Sequence, residues 1–83
     1  MLNIGIPTID LHGENKVISR ILVEEFIEDN IKLKNPKIMI IHGIGKGILR
    51  KEVNMYLQKC QHVKSFYLDF MNPGCTIVEL NLN

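Results

Sequence analysis

Residues 38–49 read Ile-Met-Ile-Ile-His-Gly-Ile-Gly-Lys-Gly-Ile-Leu, an unbroken apolar run followed by three glycines at alternate positions and then by helical apolar spacing. This order predicts a buried strand, a tight loop and the first turn of a helix. Glycine has no Cβ and accepts φ > 0, so a ligand can come close to the main chain at Gly43, Gly45 and Gly47. The helix beyond the loop offers unpaired N–H groups and the positive end of its dipole, which suits an anion. Lys46, Arg50 and Lys51 add three positive charges, with no acid between His42 and Lys51. Exposed cations in a first helical turn oppose the dipole at a cost of up to about 1 kcal/mol each. Their placement therefore points to a phosphate at the loop.

Eighty-three residues make one domain, 1–83, with a core over about 8–80. Folding at this size buries about 60–65% of the unfolded chain's surface. A hydrophobic share of 46% with 23% charged residues excludes a disordered chain. The net charge of +1 means that any affinity for nucleic acid must come from a local patch. Met1 to Pro7 carries no basic segment leading into an apolar stretch. That reading predicts no signal peptide, no membrane partner and a cytoplasmic address. Cys60 and Cys75 are then expected as reduced thiols, since Cys60-Gln61-His62 lacks the spacing of a zinc site.

Ile6 to Leu11 alternates as a short strand, with Asp10 and His12 on one face and Ile9 and Leu11 on the other. Asn15 is an N-cap for a helix from Lys16 to about Lys34, with Val17, Ile18, Ile21, Leu22, Phe26, Ile27 and Ile31 as its apolar stripe. Asn35-Pro36 stops it. Lys37–Ile41 is an interior strand, and a second helix over 48–59 buries Leu49, Val53, Tyr56 and Leu57. Val63 to Phe70 forms the third strand, with Val63, Phe66, Leu68 and Phe70 on its apolar side, although Ser65 and Phe66 blur the register. The turn Asn72-Pro73-Gly74 leads into a hairpin partner over Cys75–Leu80. The class is α/β (α+β): a two-layer sandwich of order β-α-β-α-β-β with a four-stranded mixed sheet.

The first strand ends Asp-Leu-His-Gly and the second Ile-Ile-His-Gly, and each then enters a helix. Ligand crevices in open sheets lie beyond the carboxyl ends of the strands, so neighbouring strands would bring His12 and His42 together at the glycine loop. Asp10 could fix the tautomer of His12, His42 could act as the complementary acid or base, and Lys46, Arg50 and main-chain N–H groups could stabilise a charged transition state. This set suits cleavage of a phosphodiester. RNA could supply its 2′-OH as nucleophile, whereas DNA would need an activated water, for which a divalent metal is one source; no residue pattern requires a metal. Tyr67 could stack on a base, against a packing role for most of the five aromatics. Lys46 is followed by Gly47 and not by Ser or Thr, which excludes a Walker loop, and no Gly-x-x-Gly, RNP or Gly-x-Gly-x-x-Gly pattern occurs. Two further readings keep the loop: a non-catalytic binding module, and an enzyme acting on a small phosphorylated metabolite.

Three segments resemble the small MutS-related (Smr) domain family. Ile9-Asp10-Leu11-His12-Gly13 is similar to the family's Leu-Asp-Leu-His-Gly, His42-Gly43-Ile44-Gly45-Lys46-Gly47-Ile48-Leu49-Arg50 to its His-Gly-x-Gly-x-Gly-x-Leu-Arg, and Gly74-Cys75-Thr76-Ile77-Val78-Glu79-Leu80 to its Gly-Ala-Thr-x-Val-x-Leu. The resemblance implies a fold similar to the C-terminal domain of a bacterial translation initiation factor. It also implies nucleic-acid binding, with endonuclease activity on DNA, or on messenger RNA at the ribosome, in several members. On that pattern Asp10 and His12 would be catalytic, with His42 contributing. Gly43, Gly45, Lys46, Gly47 and Arg50 would hold phosphate, with Gly13 and Lys51 assigned to the same surface.

Overall fold

The computed structural model of the chain describes residues 5–83. Six elements succeed one another: β1 (Thr8–Asp10), α1 (Lys16–Lys32), β2 (Lys37–Ile41), α2 (Ile48–Lys59), β3 (Val63–Leu68) and β4 (Cys75–Leu80). The sheet order is β1-β2-β4-β3, with β1 and β2 parallel and β4 antiparallel to both of its neighbours. Both crossovers, β1-α1-β2 and β2-α2-β3, therefore run in the same direction across the sheet. Right-handed connections then put both helices on one face. Leu11, Val23, Ile27, Ile38, Ile40, Val53, Leu57, Val78 and Leu80 form the core between the helices and that face.

Register decides which side chains share a face. Ile9 lies level with Ile40, and Ile40 with Thr76, so these belong to the helix-covered side. Asp10, Ile41 and Cys75 are level on the opposite side, with Thr8, Met39 and Ile77 beside them. The expected alternation of the first strand holds: Leu11 is buried while Asp10 and His12 are exposed. β2 is interior as expected, but its burial alternates, with Ile38 and Ile40 buried and Lys37, Met39 and Ile41 half-buried.

The expected ends of α1 and β3 change, each for a local reason. α1 ends at Lys32 and not near Lys34, because Lys34 turns to φ 60° and closes the helix. Lys34 N–H donates to the Ile31 carbonyl at 3.0 Å and Asn35 N–H to the Asn30 carbonyl at 2.9 Å, the paired bonds of a Schellman C-cap. Asn30 Oδ1 also accepts from Asn35 Nδ2 at 2.7 Å, tying the cap to the helix. Within α1 the buried stripe is Ser19, Val23, Ile27 and Asn30, whereas Val17, Ile18 and Ile21 stay exposed. The buried stripe is therefore offset from the expected one at the helix start. There Asn15 caps the helix as expected, accepting from Ile18 N–H at 2.9 Å.

β3 stops at Leu68, two residues before the expected end, because the Asp69 side chain accepts from Met71 N–H at 3.0 Å and bends the chain. Inside β3 the pairing steps from Val63–Leu80 to Ser65–Glu79, leaving one extra residue, Lys64, as a bulge. The bulge puts Val63 and Phe66 on the same side despite their odd separation, which accounts for the blurred register.

Candidate functional site

β1 and β2 both end beside the loop 43–47, so the residues just past the end of each strand meet there. His12, His42 and residues 43–49 line a cleft of about 400 Å³. Gly43 passes so close to His12 that a Cβ on it would stand 3.9 Å from the His12 Cδ2 atom. The His12 ring is exposed. Asp10 Oδ1 accepts from the His12 main-chain N–H at 2.9 Å, fixing the turn that carries the ring and not the ring nitrogens themselves. The two histidines are thus brought together, but on unequal terms.

His42 is 5% exposed and both ring nitrogens are occupied. Nδ1 lies 2.9 Å from the Gly43 carbonyl oxygen, which can only accept, so Nδ1 carries a proton. Nε2 lies 2.8 Å from Thr76 Oγ1, and in the neutral ring it accepts the hydroxyl proton. The main chain is held as firmly. The Gly74 carbonyl accepts from His42 N–H at 2.9 Å and from Gly43 N–H at 3.0 Å. A Cβ on Gly74 would meet Asn72 Oδ1 at 3.3 Å and the Gly43 main chain at 3.4 Å, so the start of β4 packs directly on the loop. Gly74 and Thr76 are therefore positioning residues that the sequence motifs do not assign to the site. A buried glycine with φ outside the left-handed region signals close backbone approach, but its sequence neighbours do not say which backbone approaches.

Gly47 occupies the N-cap of α2 at φ 77°, no side chain caps the helix, and no acid lies in its first turn. The first intrahelical bond runs from Lys51 N–H to the Gly47 carbonyl at 3.0 Å. The N–H groups of Ile48, Leu49 and Arg50 consequently have no partner within the helix. Together with the exposed Lys46 on the loop they make an anion-attracting rim. Arg50 and Lys51 are exposed but border a separate hollow with Gly47, Asn54, Met55 and Gln58, on the outer flank of α2. Gly13 is not part of the cleft wall. It turns the chain at φ 88°, with Glu14 N–H closing on the Leu11 carbonyl at 2.9 Å.

Cys75 lies 2% exposed on the sheet face opposite the helices, and burial, then the Asp69 and Asp10 carboxylates, push its thiol pKa up. It stays protonated and unreactive near neutral pH. Both cysteines are free, as expected. At the far end of α2, burial and the neighbouring Cys60 raise the Tyr56 phenol beyond its ordinary range. Among the described residues no group of three or more His, Cys, Asp and Glu side chains is arranged to hold a metal ion, and no helix is long and apolar enough to cross a membrane.

A mixed four-stranded sheet under two helices, with an Asp-x-His at the end of β1 beside a glycine loop at a helix N-terminus, defines a small two-layer α+β domain. The Smr domain model matches residues 9–81, and the chain belongs to that family. It is 40% identical over 75 residues to Endonuclease MutS2 of a Geobacillus species, which covers 87% of this chain and 10% of that protein. Endonuclease MutS2 of Streptococcus gordonii is 38% identical over 66 residues, 80% of this chain and 8% of that protein. The chain thus spans about a tenth of the length of these relatives. Among solved structures, the Smr domain of Thermus thermophilus MutS2 superposes with a TM-score of 0.90 at 25% identity, covering 92% of this chain and 99% of that one. YdaL, a stand-alone small MutS-related protein from Escherichia coli, shares the fold, with a TM-score of 0.84 at 22% identity over 88% of this chain and 63% of that one.

Proposed function

We propose that this Smr domain binds nucleic acid at the glycine loop and cleaves RNA phosphodiesters with His12 as the proton-transfer group. The observation that carries the reading is the exposed His12 ring standing over Gly43 in the cleft whose far wall is the uncapped start of α2. A backbone phosphate seated on the N–H groups of Ile48 and Leu49, with Lys46 alongside, would present its sugar to His12. RNA is the simpler substrate, because its own 2′-OH attacks phosphorus as the bond to the 5′-oxygen breaks. His12 takes the 2′ proton, a proton from solvent or a second group goes to the departing 5′-oxygen, a 2′,3′-cyclic phosphate remains, and the loop stabilises the charge that develops on the phosphoryl oxygens. Asp10 serves by holding the His12 turn, and His42 by holding the loop through its bonds to Gly43 and Thr76. DNA nicking, the activity that would ask for an activated water, is the less direct alternative.

A specific observation also favours binding without cutting: the engagement of both His42 nitrogens leaves His12 as the one imidazole at the cleft with no hydrogen-bond partner among the described residues. A second proton-transfer group would then have to come from the substrate or from a larger assembly such as the ribosome. Matched RNA and DNA oligonucleotides, incubated with and without EDTA, separate the readings. Cleavage of RNA that falls by on the order of 10²–10⁴ in His12→Ala, with binding retained, supports the nuclease. Salt-sensitive binding without cleavage, weakened by Lys46→Ala, supports the binding module. Equal cleavage by His12→Ala and the parent refutes the assignment.

A further inference from the structure

We infer that Phe70 is a stacking platform for an unpaired base, so that the nucleic acid bound at the glycine loop is single-stranded where it crosses the β3–β4 turn. The inference rests on the nucleic-acid reading of the cleft and adds to it the substrate class and the side chain that selects it. Phe70 is 95% exposed and the next residue, Met71, is 68% exposed. Single exposed apolar side chains are common on soluble proteins. Two consecutive ones that the main chain holds outward are a different matter.

The turn holding them is internally tied. Asp69 N–H donates to the Cys75 carbonyl at 2.9 Å, Asn72 N–H to the Asp69 carbonyl at 3.2 Å and Cys75 N–H to the Asn72 carbonyl at 3.0 Å. The Asp69 side chain accepts from Met71 N–H, and Asn72 Oδ1 accepts from Gly74 N–H at 3.0 Å. Phe70 therefore stands out from a bonded frame. That frame is continuous with the site, since its Gly74 carbonyl receives the N–H groups of His42 and Gly43. With the order β1-β2-β4-β3, the strand carrying Asp10 is three strand spacings from β3, about 14 Å. A strand of nucleic acid gripped at the loop passes within reach of both. Ile44, 68% exposed on the loop itself and next in sequence to Gly43, offers a second apolar side chain beside the Gly43–Gly74 junction.

The chemistry at the two stations is complementary. Lys46 and the α2 N-terminus attract backbone phosphate, while an exposed phenyl ring offers a π-face to any base. In a duplex the bases are already stacked on one another and present no free face.

The experiment measures binding by fluorescence anisotropy of labelled twelve-nucleotide RNA and DNA strands, of the same strands with abasic positions, and of the matching duplexes. The parent, Phe70→Ala, Phe70→Trp and Lys46→Ala are compared. Stacking predicts that Phe70→Ala weakens single-strand binding by about 5- to 100-fold, leaves abasic and duplex binding unchanged, and keeps the salt slope. It also predicts that Phe70→Trp, which brings the only tryptophan into a chain that has none, binds at least as well, with its indole fluorescence quenched by the normal strand and not by the abasic one. Thermal melts of Phe70→Ala at the parent temperature confirm an intact fold. If Phe70→Ala binds single strands as the parent does while Lys46→Ala does not, the platform is refuted and the nucleic-acid reading stands. If it weakens all ligands alike, or instead abolishes self-association in sedimentation, the patch is a general or protein contact and the inference is wrong. Failure of the parent to bind any oligonucleotide removes the cleft reading and the platform together.

Discussion

The hydrogen bond between His42 Nε2 and Thr76 Oγ1 sets a measurable requirement on the loop. The two groups are 5% and 1% exposed, so neither can turn to water if the other is removed. Thr76→Val keeps the shape and deletes the hydroxyl, leaving Nε2 buried and unpaired. The Gly43 carbonyl holds the proton on Nδ1, so the ring has no tautomer that avoids this loss. An unsatisfied buried group costs about 1–3 kcal/mol. For a domain of this size each kcal/mol moves Tm by about 4–8 °C, so a mid-range loss of about 2 kcal/mol lowers Tm by about 8–16 °C. His42→Phe strands the Thr76 hydroxyl instead and also gives up the bond to Gly43. In the double variant the Val and Phe side chains face each other with neither the imidazole nor the hydroxyl left to satisfy. Its destabilisation should therefore fall short of the sum of the single variants by about 1–2 kcal/mol. Urea unfolding of the four proteins, with a common m-value, gives the coupling. Additivity within about 0.5 kcal/mol would mean that the pair contributes nothing as a pair and that β4 does not anchor the loop through Thr76.

Lys34→Gly should stabilise the domain by about 0.5–1 kcal/mol, a rise in Tm of about 2–8 °C, because an exposed lysine now occupies the left-handed C′ position of α1. An unchanged or lower Tm would show that the lysine stem contributes packing that outweighs the backbone strain. Cys75 should resist a thiol reagent at neutral pH while the less buried Cys60 reacts, and the raised Cys75 pKa implies that its labelling speeds up only as pH climbs well above the ordinary thiol range. Peptide mapping after timed labelling reads both sites; equal rates would contradict the burial.

Most of the fold was legible because its signals are local. Asn15 caps the first helix where the sequence pattern put it, the second helix runs Ile48–Lys59 as expected, and the turn Asn72-Pro73-Gly74 leads into a fourth strand paired with the third. The illegible parts depend on main-chain turns and on partners distant in sequence. The end of α1 is decided by Lys34 adopting φ 60°, a conformation that glycine or asparagine would announce and lysine does not. Phe70 continued an apolar alternation and so looked like a strand residue. A side-chain bond from Asp69 to the Met71 N–H, invisible to periodicity, ends the strand first and leaves the ring in solvent.

The same distinction governs the site. The two His-Gly sequences at the ends of β1 and β2 look equivalent, and equivalence would put two imidazoles on one surface. The register says otherwise. Asp10 is level with Ile41, and Leu11 N–H donates to the Ile41 carbonyl at 2.7 Å, so the position opposite His42 belongs to Leu11 and not to His12. An offset of one residue in a strand reverses the face. His42 therefore continues the helix-covered side of Ile38 and Ile40 and is drawn into bonds with Gly43 and Thr76, whereas His12 continues the opposite side, that of Asp10, and reaches the cleft. One repeated dipeptide thus yields a loop anchor and an exposed ring. On the proposed reading the glycine loop needs both, since a phosphate cradle whose mouth is not fixed cannot hold its ligand at a defined distance from the group that would act on it.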